Sequence, residues 1–444
     1  MRNSKPIAIF ASILIAILVL IVPLEIGTNA HMALAITILM AALWICEAMP
    51  LHVTALLGTV LYILLAGIDA KEAFSSYFNP TIALFFGGFV LALAMQKHGL
   101  DKKIVSGLMR WFGTEPRIFV LGLMIATAFI SFWISNTATA AIMMPIAIFA
   151  LSSSGAKAGK SEFGKAAVIG IAFAATIGGV GTIVGTAPNA ITVGELAARG
   201  ILVSFFDWAI RGLPVVLILI PAAWLILIMS FRIDIRGIKL PKMADKGWNN
   251  EQIRLAVIGL ISIGLWMTSS IHKIPDGVVA VIAVILIYLA DLVEGDDISK
   301  IDWGILLLLG GSMCMGAAIA SSGLSSYLGG VLSNAVLGQS NVAIIFLVAL
   351  FAVIVTSFMS NTSTAALVVP IVASLSRGLG PGIGSLAMVA GISSSFNYIT
   401  PFGTPPSAMA YSSGYIKVWD MMKVGIPLTL AGIIVITALA QWVW

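Results

Sequence analysis

Ser135-Asn136-Thr137-Ala138-Thr139-Ala140-Ala141 and, some 220 residues later, Ser360-Asn361-Thr362-Ser363-Thr364-Ala365-Ala366 decide how this chain folds. Each lies near the middle of an apolar stretch, 118–151 and 341–376, too long for one membrane helix of about 20 residues. A polar tripeptide in that place breaks each stretch into two half-helices joined at a tip. A proline follows at the same offset in both copies, Pro145 and Pro370.

Two further motif pairs keep the same order. Leu84-Phe85-Phe86-Gly87-Gly88 returns as Leu307-Leu308-Leu309-Gly310-Gly311, and Gly185-Thr186-Ala187-Pro188 returns as Gly403-Thr404-Pro405-Pro406. The chain is therefore read as an internal repeat, each half carrying one hairpin and one Gly/Pro-broken helix, 166–198 and 384–413.

The surroundings of these motifs are those of a membrane protein. Of 444 residues, 60% are hydrophobic and only 10% charged, with a mean hydropathy of +1.08. A soluble surface needs roughly 25% charge. Apolar runs long enough to cross the bilayer recur throughout, so the expected fold is an all-α membrane protein. About eleven transmembrane helices and two re-entrant hairpins are expected in it. The first apolar run, Ile7–Val22, lacks a cleavage site and reads as a retained helix. Cys46 and Cys314 sit inside apolar runs and indicate neither a disulfide framework nor a metal motif.

Re-entrant hairpins sort the basic residues consistently. Nineteen Lys and Arg fall on the inside face, from Arg2 and Lys5 through Lys97, Arg110, Lys165 and the loop Arg232–Lys246 to Lys417 and Lys423. Five fall outside: Lys71, Arg199, Arg211, Lys273 and Arg377. Two full crossings of stretch 118–151 would give the same parity, so charge alone does not decide re-entry. The N-terminus is then cytoplasmic, the C-terminus external, and the repeats inverted. His31, His52, His98 and His272 fall in loops or at span ends and read as solvated.

No Asp, Glu, Lys, Arg or His lies in or beside the three motif pairs. Broken helices release backbone carbonyls, which with Ser, Thr and Asn oxygens form a hard cage for an alkali cation. Half-helix N-termini favour carboxylates. An Asn amide at the tip offers an acceptor to a cation and donors to an anion. Proton coupling would call for an intramembrane carboxylate or histidine, and none is expected in this core, which favours sodium.

At these residues the chain resembles the divalent anion/sodium symporter family, from Trp44-Ile45-Cys46-Glu47-Ala48-Met49-Pro50 to the last helix. The resemblance implies a homodimer in the inner membrane whose transport domain slides against a scaffold in an elevator movement. Scaffold helices would occupy 1–116 and 232–321, and the transport domain 117–231 and 322–444. One sodium site would use Ser131, Ser135, Asn136 and the backbone of Gly185. The second would use Thr356, Asn361 and the backbones of Met359 and Gly403. Substrate carboxylates would meet Asn136, Thr137, Asn361 and Thr362, with Thr186, Pro188, Thr404 and Pro405 shaping the pocket. Ser407 and Tyr398 depart from the family pattern, which has Asn and Phe there, and bear on substrate identity.

The function implied is sodium-coupled symport of C4-dicarboxylates such as succinate, malate or fumarate. A sodium-independent exchanger, or a citrate or sulfate carrier, would share the same groups. Hydrolase and metalloprotease motifs are missing from the sequence, so an enzyme is not expected. Gly178-Gly179-Val180-Gly181 lacks the strand and Lys-Ser/Thr of a phosphate loop. The partners expected are lipid, sodium and a small anion, with no nucleic acid.

Overall fold

The computed structural model describes residues 5–233, 238, 247–335, 338–375 and 381–442. Arg2, Arg236, Lys239, Lys242, Lys246 and Arg377 of the charge count lie outside the described residues.

The chain opens with α1 (Lys5–Ile21), α2 (Thr28–Ile45) and α3 (Leu51–Leu65), followed by the short α4 (Ala70–Ser75). Then come α5 (Pro80–Lys97) and the amphipathic α6 (Leu100–Met109). The first long stretch forms a helical hairpin, α7 (Pro116–Ser131) and α8 (Asn136–Ser153). The first broken helix is α9 (Glu162–Gly179), a single 3₁₀ turn at Ile183–Gly185, and α10 (Ala187–Ala198). It is followed by α11 (Phe205–Ser230), α12 (Asn250–Met267), the short α13 (Ser269–His272) and α14 (Asp276–Leu289).

The second half repeats the plan. α15 (Trp303–Ser321) and α16 (Leu324–Ala335) precede a second hairpin, α17 (Asn341–Thr356) and α18 (Asn361–Leu375). The second broken helix is α19 (Ile383–Ser393) and α20 (Pro405–Ser412), and α21 (Val418–Trp442) ends the fold. Both Ser-Asn-Thr tips fall where the sequence places them, between the two arms of a hairpin. The breaks also fall at the expected motifs, although α9 starts at Glu162, four residues before the expected boundary.

Among the described residues there is no strand, and seven helices are long and apolar enough to cross a membrane by length and composition. Seven shorter apolar helices of 10–17 residues accompany them, including three of the four hairpin arms.

Close helix approach depends on small residues, as expected where lipid supplies no hydrophobic contrast. A Cβ on Gly178 of α9 would meet the Ala128 carbonyl oxygen of α7 at 2.5 Å, and one on Gly87 of α5 would meet the Ala280 Cβ of α14 at 2.7 Å. α9 is the centre of the bundle, buried from Ala166 to Gly179. Outside the apolar region, Asp297 joins the end of α5 to the approach to α15. It accepts from Lys97 and from Lys300, each at 2.6 Å. The Glu294 N–H, and after it these two lysines, hold its carboxyl well below the usual carboxylate range. The histidines are less solvated than expected. All four are half-buried, and His31, His98 and His272 bond the carbonyls of Val19, Leu292 and Leu265 at 2.7–2.8 Å.

Candidate functional site

Four helices begin at one place. α8 starts at Asn136, α10 at Ala187, α18 at Asn361 and α20 at Pro405, and all four starts line a cavity of about 190 Å³. Its walls are Ser135, Asn136, Thr137, Gly185, Thr186, Ser360, Asn361, Thr362, Gly403, Thr404 and Pro405, with Phe85 and Phe89 of α5 and Ile305 of α15. Among the described residues no charged one lines it.

Hydroxyls shape the helix starts. Ser135 Oγ accepts the Ala138 N–H at 3.3 Å, Ser360 Oγ that of Ser363 at 3.2 Å, and Thr404 Oγ1 that of Ser407 at 3.3 Å. Each cap takes one first-turn N–H, and the positive end of the helix remains turned to the cavity. Four such ends around an uncharged space favour an anion with more than one carboxylate.

Beside the cavity the two halves build the same oxygen cluster. Ser131 Oγ lies 2.8 Å from Asn136 Oδ1 and 2.7 Å from the Ala175 carbonyl oxygen. Thr356 Oγ1 lies 3.0 Å from Asn361 Oδ1 and 2.7 Å from the Ser394 carbonyl oxygen. A hydroxyl has one proton and faces two acceptors in each cluster, leaving a surplus of lone pairs. Backbone oxygens add to the first cluster. A Cβ on Gly185 would meet the Gly179 and Ser131 carbonyl oxygens at 2.5 and 2.8 Å, so only glycine fits there. Neutral hard oxygens in surplus fit a monovalent alkali cation. Among the described residues no group of three or more His, Cys, Asp and Glu could hold a multivalent metal.

The other residues named from the sequence fall as follows. Asn136 also donates from Nδ2 to Thr186 Oγ1 at 3.4 Å, linking the first tip to the first break. Met359 is buried in the turn just before Asn361. Pro188 is buried in the first turn of α10 and does not line the cavity.

Sequence reasoning missed two asparagines and one acid. Asn189 Nδ2 donates to the Gly179 and Thr182 carbonyls at 2.8 and 2.7 Å, and Asn397 Nδ2 donates to the Thr356 carbonyl. Each pins a broken segment beside an oxygen cluster. An amide buried inside an apolar run was the available signal.

The acid corrects the expectation of a core without carboxylates. Glu195 lies on α10, two turns beyond Pro188, and is completely buried. It pairs with Arg199, which donates to Ser374 Oγ of α18 at 2.7 Å. The short spacing hid the pair, because Arg199 read as a loop residue and its partner as part of an apolar helix.

A helical membrane fold closing four helix ends around a cavity lined by uncharged polar groups is an arrangement suited to a transporter. The chain matches the sodium:sulfate symporter transmembrane region over residues 3–444 and belongs to that family. It is 31% identical to the sodium-dependent dicarboxylate transporter SdcS of Staphylococcus saprophyticus, over 94% of this chain and 87% of that one. It is 35% identical to an uncharacterized transporter of Haemophilus influenzae, over 100% of this chain and 98% of that one. The crystal structure of the Alcanivorax borkumensis YdaH transporter shares the fold, with a TM-score of 0.59 at 13% identity, covering 92% of this chain and 98% of that one.

Proposed function

We propose that the protein carries C4-dicarboxylates such as succinate, malate and fumarate across the inner membrane together with sodium. The observation that carries this reading is the convergence of four helix N-termini on an uncharged cavity flanked by two matching oxygen clusters. Helix ends supply positive potential for two carboxylates, and each cluster supplies a cation position within one residue's reach of the anion. A cation and an anion side by side offset each other's desolvation, which couples their binding. The name of the staphylococcal relative agrees with this substrate class.

In this reading the two hairpins are re-entrant, the repeats are inverted, and the N-terminus is cytoplasmic and the C-terminus external. Residues 117–231 and 322–444 move as an elevator against a scaffold of 1–116 and 232–321, and the protein is a homodimer. The exposure of the two tips supports one direction of opening. Ser135 and Thr137 of the first tip are exposed, whereas Asn361 is buried and Ser360 and Thr362 are half-buried. A second cavity, of about 540 Å³, runs along the same side of α8 past Ala138, Ala141 and Pro145 to Gln96 and Lys102. With the topology proposed here, this difference favours an arrangement open toward the cytoplasm.

Reconstituted into proteoliposomes, the protein is expected to accumulate radiolabelled succinate under an inward sodium gradient and not under an equal potassium gradient. Uptake indifferent to sodium would overturn the symport reading in favour of exchange. Thr404→Ala should raise the KM for succinate more than the half-saturating sodium concentration. Its hydroxyl caps α20 beside the anion and is not part of either Asn-hydroxyl cluster. Equal changes in both constants would contradict that assignment.

A further inference from the structure

Proline in a helix leaves the carbonyl four residues before it without its N–H partner. The two hairpins carry this defect at matching places. Pro145 of α8 releases the Ala141 carbonyl, and Pro370 of α18 releases the Ala366 carbonyl. Their surroundings are opposite. Ala141 and Pro145 are exposed and line the 540 Å³ cavity, so the released carbonyl lies beside open space that water could enter. Ala366 is fully buried and Pro370 is buried with it, so the second carbonyl needs a partner from the protein.

That partner is Ser312 of α15, whose Oγ donates to the Ala366 oxygen at 3.1 Å. Many buried hydroxyls of the helices spend their proton within their own helix. Thr37, Thr59, Thr127, Thr176, Thr192, Ser262 and Thr437 all donate to the carbonyl four residues back. Ser312 instead reaches across to another helix, as Ser131 and Thr356 reach across in the two oxygen clusters. One turn further along α15, Gly316 leaves room for the Glu195 carboxylate of α10, and Arg199, just after the end of α10, reaches the Pro370 carbonyl at 3.4 Å. The seam between α15 and the pair α10 and α18 therefore closes on the proline defect itself.

We propose that Ser312 is a positioning residue of the transport cycle, its hydroxyl holding the second hairpin shut against α15 while the first stands open. The inference rests on the transport reading above. Opening the external path parts α18 from α15, and water then takes over the Ala366 carbonyl. Without the serine hydroxyl, only the closed arrangement holds a dry, unpartnered carbonyl. Removing it therefore shifts the equilibrium toward external opening.

The test uses the full chain in cells, with Cys46→Ser and Cys314→Ala removing the native thiols and Ala373→Cys as reporter. Ala373 is 1% exposed and lies two helical turns from Ala366, on the same face of α18. Labelling by a membrane-impermeant maleimide added outside should be about five- to tenfold faster with Ser312→Ala. Ser312→Thr, which keeps the hydroxyl, should return it toward the parent rate. Equal labelling in Ser312→Ala and the parent would overturn the proposal. So would Ser312→Thr labelling as fast as Ser312→Ala, which would make the effect one of packing. Sodium-driven succinate uptake by the parent is measured in parallel. Its absence would overturn the transport reading, whereas uptake with unchanged labelling would overturn only the role of Ser312.

Discussion

Asn136→Ala and Asn361→Ala are each expected to lower sodium-driven succinate uptake at least about a hundredfold, with the amount of protein in the membrane unchanged. Each asparagine works at a junction. Its Oδ1 belongs to an oxygen cluster, at 2.8 Å from Ser131 Oγ or 3.0 Å from Thr356 Oγ1, while its backbone opens a helix start that lines the anion cavity. Alanine keeps the helix start and deletes the oxygen, so a cation position is lost and the anion loses its neighbouring charge. Both variants keep the apolar packing of their hairpins, and expression is the control. Uptake near the parent rate in either variant would show that the clusters do not carry sodium.

The second large effect concerns stability. Arg199→Ala leaves the completely buried Glu195 carboxylate without its cation and removes the donors to Ser374 Oγ and the Pro370 carbonyl. Breaking a buried ion pair from one side costs about 3–5 kcal/mol, because the abandoned charge stays out of water. Removing both charges together, as Glu195→Met with Arg199→Met, leaves no stranded ion and should recover most of that loss. Thermal unfolding of the purified protein in detergent measures it, with a markedly lower Tm for the single variant than for the double. A single variant as stable as the parent would show that Glu195 is held by something other than Arg199.

Much of this fold was legible because membrane solvent enforces simple rules. Residues 118–151 are too long for one span and carry a polar tripeptide at their middle, so a hairpin follows from length and hydrogen-bond satisfaction. The breaks at Gly185 and Gly403 follow from glycine and proline in register in both halves. Asn136, Thr137, Asn361, Thr362 and Thr404, all in or beside those motifs, line one cavity.

What escaped depends on tertiary arrangement, which a single sequence pattern does not carry. Asn189 looks like any residue of an apolar run until its two carbonyl acceptors, Gly179 at the end of α9 and Thr182 in the break, are in place. Glu195 and Arg199 are four residues apart, but their burial depends on α15 and α18, which arrive from the other half of the chain. Phe85, Phe89 and Ile305 read as core residues because apolar lining and apolar packing have the same sequence signature.

In the proposed mechanism a cation and a carboxylate share the space between the two hairpin tips. Equilibrium binding of radiolabelled succinate to the purified protein, measured across a sodium titration, tests it without any assumption about topology or movement. Succinate affinity should rise steeply with sodium, and sodium affinity should rise by the same factor with succinate. Succinate binding of equal strength in sodium and in potassium would contradict the account.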